Sequence, residues 1–67
     1  PLKFYRAIAP EALEGLKPGG RLYFEINPRH ADELKAMLAH DGFTNVELWR
    51  DAQGAYRYIK AQKPADD

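Results

Sequence analysis

Glu25 and Asn27 are the residues of this 67-residue chain best placed to meet a ligand. They flank Ile26 at the end of the run Arg21-Leu22-Tyr23-Phe24-Glu25-Ile26. Leu22, Phe24 and Ile26 fall on one side and Arg21, Tyr23 and Glu25 on the other, the period-two pattern of a strand. In open α/β sheets, ligands gather beyond the C-terminal ends of the parallel strands. A carboxylate at that end can face a ligand. It can equally pair with Arg21, Arg57 or a backbone amide. Asn27 has a structural use of its own, as the cap of the helix that follows.

Other chemistries have little to work with. The chain has no Ser and no Cys, and Thr44 is its one Thr, so no Ser/His/Asp or Cys/His nucleophile can be assembled. His30 and His40 lie on one expected helix, about 80° and nearly three turns apart, too far to share a metal. Both are expected to be solvent-exposed. Pro18-Gly19-Gly20 precedes a strand instead of following one, so it is a turn and not a phosphate loop. Asp51-x-x-Gly54-x-x-Arg57 spans an expected hairpin and reads as structural, with Asp51 pairing with Arg57 or accepting loop N–H bonds. Trp49, Tyr56 and Tyr58 could stack on bases, but paired strands of a half-buried sheet explain them more cheaply.

The elements that hold these residues follow from periodicity. Phe4, Ile8, Ala12 and Leu16 recur every four residues, the apolar stripe of a helix. Pro10 lies inside it and predicts a kinked or two-part helix. Asn27-Pro28 opens a second helix, with Asp32 and Glu33 suited to its positive end. Ala31, Leu34, Met37 and Leu38 are its inner face. Gly42 ends it in the left-handed conformation, and Phe43 folds back onto Leu38. Val46 to Arg50 is a second strand, with Val46 and Leu48 inward and Trp49 outward. Tyr56 to Ala61 is a third strand, antiparallel to the second. The order is helix, strand, helix, strand, strand. The first two strands flank a helix, which predicts that they run parallel. Residues 1–62 form the domain, and 63–67 a frayed polar tail.

Composition narrows the partners. Ten basic residues balance ten acidic ones, so no electrostatic footprint for nucleic acid or an anionic membrane is present. No apolar stretch reaches the ~20 residues of a membrane helix. The lack of Cys is compatible with the cytoplasm. A chain of this size makes one small domain that buries only about 60% of its unfolded surface. It begins with Pro a few residues before a helical pattern, as either an excised piece of a longer protein or a processed small domain would.

Read together, several segments carry a resemblance. They are Phe4-Tyr5-Arg6-Ala7-Ile8, Leu16-Lys17-Pro18-Gly19-Gly20, Glu25-Ile26, Gly42-Phe43, and Asp51 with Gly54 and Arg57. In order and spacing they resemble the HemK/PrmC family of protein-glutamine methyltransferases across most of residues 2–61. The Leu-Lys-Pro-Gly-Gly run is common to many methyltransferases; the Phe-Tyr-Arg before it and the Asp-x-x-Gly-x-x-Arg after it are sharper. Asn27-Pro28 departs from the family, which usually has Gly there, and Ala52-Gln53 stands where Leu-Ala is usual.

The resemblance implies the C-terminal portion of a Rossmann-like class I methyltransferase fold: a mixed three-stranded sheet whose last strand is antiparallel and slips between the other two. It implies a cytoplasmic parent enzyme that uses S-adenosylmethionine to methylate the glutamine of the Gly-Gly-Gln motif in peptide chain release factors. The family's glycine-rich cofactor loop and Asn-Pro-Pro-Tyr motif are absent here, and Asn27-Pro28-Arg29-His30 resembles the latter only superficially. No catalytic, cofactor-binding or metal residue is therefore assigned. Glu25 and Asn27 are placed on the substrate-side rim. The expected partners are the remainder of the catalytic domain and the release factor. An uncovered sheet edge predicts self-association of the isolated piece. The alternatives are a freestanding α/β protein-interaction module and a single-strand nucleic-acid binder.

Overall fold

The structure, a computed structural model, describes residues 2–65. The elements are α1 (Leu2–Gly15), β1 (Arg21–Glu25), a 3-10 turn (Pro28–His30), α2 (Ala31–His40), β2 (Thr44–Arg50) and β3 (Tyr56–Gln62). The strand order is β1-β3-β2, so the last strand lies in the middle, as the resemblance implied. Both β1 and β2 are antiparallel to β3, and they therefore run parallel to each other. They never pair. The expected mixed sheet is thus corrected: every ladder is antiparallel, because β3 separates the two strands that share a direction.

α1 is one helix that continues through Pro10, instead of two. Pro10 and Arg6 are both exposed, so the helical bond that Pro10 cannot make is lost where water can replace it. The buried stripe is also rotated from the expected one. Ala9 is fully buried, whereas Phe4 is 58% exposed. Ala9 presents almost no side chain and brings the helix close to the core on that side.

Asn27 does cap, but it caps the 3-10 turn ahead of α2. Its Oδ1 accepts the Arg29 N–H at 3.0 Å. The inner face of α2 is as expected, with Ala31, Leu34 and Leu38 buried and Met37 half-buried. Gly42 has φ 111°, and the Phe43 N–H reaches back to the Leu38 carbonyl at 3.1 Å. Ala9, Ile26, Leu34, Leu38, Phe43 and Ile59 make the core between the helices and one face of the sheet.

Lys63, assigned to a polar tail, is tied down. Its N–H donates to the Gly20 carbonyl at 2.8 Å, and its carbonyl accepts the Gly19 N–H at 3.0 Å. Its ammonium donates to the Leu16 carbonyl at 2.8 Å, at the end of α1. Asp66 and Asp67, the end of that expected tail, lie outside the described residues.

The two outer strands differ. β2 has register shifts between Thr44 and Glu47 and between Trp49 and Arg50, and Asn45 has φ 51°. β1 pairs with β3 without interruption from Arg21 to Glu25. The Ile26 N–H donates to the Arg57 carbonyl and the Lys63 N–H to the Gly20 carbonyl, so the even-numbered residues face β3. By the alternation of an antiparallel ladder, the backbone groups of Arg21 and Tyr23 and the Glu25 N–H point to the open edge, while the Glu25 carbonyl there is taken by the Tyr5 hydroxyl.

Candidate functional site at the end of β1

The rim at Glu25 is fixed from three directions. The Tyr5 hydroxyl on α1 donates to the Glu25 carbonyl at 3.1 Å. The Tyr5 ring sits edge-on to Phe24, with centroids 5.0 Å apart, and to Phe4 at 5.3 Å. The Ile26 N–H donates to the Arg57 carbonyl at 2.7 Å. Asn27 is held by its own cap. The backbone from Phe24 to Arg29 is therefore pinned, while the Glu25 side chain stays exposed. Asn27 is exposed too, but its side-chain oxygen is already engaged by Arg29.

Arg57 links this rim to the hairpin. Asp51 Oδ1 accepts the N–H groups of Gln53 at 2.9 Å and Ala55 at 3.1 Å, and Oδ2 accepts Arg57 Nε at 3.3 Å. Both sequence expectations for Asp51 hold together. Desolvation is the largest single influence on the Asp51 carboxyl and pushes its pKa up. The bonds from Ala55, Arg57 and Gln53 together outweigh it and leave it lowered. Gly54 turns the loop at φ 86°.

The sheet face opposite the helices is aromatic and open. Tyr23, Trp49 and Tyr58 are 63%, 53% and 46% exposed. With Glu25 and Lys60 they border a shallow cavity of about 240 Å³. The pairing register explains the cluster: Glu25 lies beside Tyr58, which lies beside Trp49, while Tyr23 lies beside Lys60. Lys60 is neutralised by Glu47, with Nζ to Oε2 at 3.0 Å, and its ammonium stands 5.9 Å from the centre of the Trp49 ring. Trp49 Nε1 donates to the same Glu47 at 3.1 Å. The bonds from Lys60 and Trp49 hold the Glu47 carboxyl below its ordinary pKa.

His30 corrects an expectation. It is half-buried at the start of α2, with Nδ1 3.8 Å from Glu33 Oε1, beyond hydrogen-bond reach. The 3-10 turn that Asn27 caps swings this residue toward the protein. His40 is exposed, as expected. Among the described residues no cluster of His, Asp and Glu could hold a metal ion, and no helix is long and apolar enough to cross a membrane.

Sequence reasoning missed the Tyr5 contact and the Lys63 clamp. Each joins residues far apart in the chain, 20 positions for the first and 47 for the bond to Leu16. No local pattern reports such a bond.

The described residues form an α/β unit with a pinned strand-end rim and an exposed aromatic face. Comparison with known proteins gives its family. The chain is 38% identical over 63 residues to the release factor glutamine methyltransferase of Bacteroides thetaiotaomicron, covering 94% of this chain and 23% of that protein. It is 38% identical over 60 residues to that of Clostridium acetobutylicum, covering 90% of this chain and 21% of the relative. It is 36% identical over 58 residues to that of Deinococcus radiodurans, covering 87% and 20%. The chain belongs to the HemK/PrmC family of release factor glutamine methyltransferases and stands for its C-terminal part. It spans less than a quarter of the length of the curated relatives it matches. No family model and no solved structure matches it.

Proposed function

We propose that this chain completes the Rossmann-like sheet of a methyltransferase that transfers a methyl group from S-adenosylmethionine to a glutamine side chain of a release factor, in the cytoplasm. The reading rests on one observation. The pinned rim and the hairpin that holds it are built from the same Glu25-Ile26 and Asp51, Gly54 and Arg57 that carry the family resemblance. An amide nitrogen is a poor nucleophile because its lone pair is delocalised. Such an enzyme must orient that nitrogen toward the sulfonium methyl and bind the amide hydrogens. By the family resemblance that task belongs to an Asn-Pro-Pro-Tyr motif and the holding of the cofactor to a glycine-rich loop, neither of which this chain contains. Its own residues shape the substrate side through Glu25 and Asn27.

The open edge of β1 is where the sheet continues into the remainder of the domain. An uninterrupted strand with outward N–H and C=O groups accepts a neighbour, whereas the irregular β2 blunts the opposite edge. Without that neighbour the chain self-associates.

The test is a chimera. The 63 matched residues of the Bacteroides thetaiotaomicron relative are replaced by the aligned residues of this chain, and methylation of release factor glutamine is followed by mass spectrometry. Methyl transfer by the chimera, and none by the chain alone, is expected. A folded but inactive chimera would overturn the reading.

A further inference from the structure

We propose that the Tyr5 hydroxyl ends the pairing of the sheet at the Glu25 carbonyl, so that the strand joined to the β1 edge parts from β1 there and leaves a crevice on the substrate side. The inference rests on the proposed function for that neighbouring strand. The even-numbered residues of β1 face β3, so the edge offers the backbone groups of Arg21, Tyr23 and Glu25. Whichever way the neighbour runs, the Glu25 carbonyl is the last acceptor it reaches on β1. That oxygen already accepts the Tyr5 hydroxyl at 3.1 Å. The next outward carbonyl, that of Asn27, is turned into the 3-10 turn, where it accepts the His30 N–H at 3.0 Å. The two acceptors at the C-terminal end are thus both spent within this chain, whereas the Glu25 N–H and the groups of Arg21 and Tyr23 remain for the neighbour.

A carbonyl inside a ladder takes its partner from the next strand. One beyond the ladder needs a side chain or water. Tyr5 supplies the side chain, and packing aims it. Its ring is held edge-on against Phe24, with centroids 5.0 Å apart, and against Phe4 at 5.3 Å. The Glu25 oxygen has a second lone pair. A strand that used it would have to bring its backbone to about 4.8 Å from β1, beside the bound hydroxyl. Two strands that part at their C-terminal ends open the kind of crevice in which α/β sheets bind ligands. Glu25 and Asn27 border it, on a backbone fixed by Tyr5 and by the 3-10 turn. Tyr5 is then a positioning residue: it acts through the Glu25 carbonyl and touches no reacting atom.

The test uses the chimera with the Bacteroides thetaiotaomicron relative. A long-range HNCO experiment, which reads scalar coupling across hydrogen bonds, shows which amide donates to each β1 carbonyl. Cross-peaks from the neighbour's amides to the Arg21 and Tyr23 carbonyls are expected, and none to Glu25. Tyr5→Phe keeps the ring and releases the carbonyl, so a cross-peak to Glu25 appears and the crevice narrows by one pairing. KM for the release factor then rises about two- to tenfold, the equivalent of one hydrogen bond, while kcat changes by less than about twofold. Thr44→Val removes a 3.3 Å bond to the Gln62 carbonyl at the other end of the sheet. It lowers stability comparably and leaves KM and kcat unchanged, which separates positioning from general loosening. A Glu25 cross-peak in the active chimera with Tyr5 present sinks this inference alone. So does a Tyr5→Phe chimera that gains no such cross-peak or keeps its KM. Arg21 and Tyr23 carbonyls that meet no neighbouring amide would sink the proposed function as well.

Discussion

The Tyr5 hydroxyl lies 3.1 Å from the Glu25 carbonyl oxygen and joins the start of α1 to the end of β1. Tyr5→Phe removes only this bond and keeps the ring against Phe24. The loss is about 0.5–1.5 kcal/mol, which lowers the melting temperature by roughly 4–8 °C per kcal/mol in a domain of this size. Circular dichroism measures it. Amide shifts at Ile26 and Asn27 should move with it; a melt unchanged from wild type would show that the bond does not hold the rim.

Acid should loosen the hairpin first. Asp51 and Glu47 both have pKa values lowered from the ordinary 3.8 and 4.5. A carboxylate whose folded pKa is depressed adds stability that is present above its unfolded pKa and lost as pH falls through the folded one. Urea unfolding at pH 7 and then stepwise below pH 4.5 should show stability falling. Asp51→Ala is less stable at neutral pH and has a shallower acid dependence. A parallel fall in both proteins would exclude Asp51 as a source.

Two glycines should respond with opposite signs. A Cβ on Gly20 would stand 2.8 Å from the Lys17 carbonyl oxygen and close to Leu16, so Gly20→Ala forces the turn to move. It should cost more than about 1 kcal/mol. Gly15 ends α1 with open space around it, so Gly15→Ala should gain about 0.4–1 kcal/mol. Chemical denaturation of the pair gives the comparison, and equal effects would contradict the geometry.

Leu34 and Leu38 are fully buried. Either one changed to Ala costs about 2–5 kcal/mol, against a total stability of roughly 0.05–0.15 kcal/mol per residue. Leu34→Ala should lose a large share of that margin and show a clearly broadened, less dispersed spectrum or a much lower melt. Ile59→Val, at about 0.5–1.5 kcal/mol, should fold. One-dimensional proton spectra separate the two outcomes.

Much of the fold was legible because it is local. Leu22 and Phe24 alternate with Tyr23, Leu34 and Leu38 sit one turn apart, and Gly42 marks a helix end; each pattern is written within a few residues. What stayed hidden depends on packing across the chain. The rotation of α1 that exposes Phe4 is set by contacts with other elements, and periodicity cannot choose between adjacent stripes. The half-burial of His30 comes from a short turn inserted before α2. At the site, the position of Glu25 could be read from its strand. Its freedom from Arg57 could not, because that depends on Asp51 reaching the same guanidinium first.

The central place of β3 sets a clock. Among the described residues β1 and β2 touch no strand except β3, whose residues 56–62 are made after both. During synthesis β1 and β2 emerge before the strand that joins them, and this part of the sheet closes only when β3 threads between two waiting edges. A ribosome stalled before Tyr56 would display β1 and β2 unjoined and the core without Ile59 and Ala61. Recruitment of chaperones to the nascent chain should therefore persist until β3 has cleared the exit tunnel and then end abruptly.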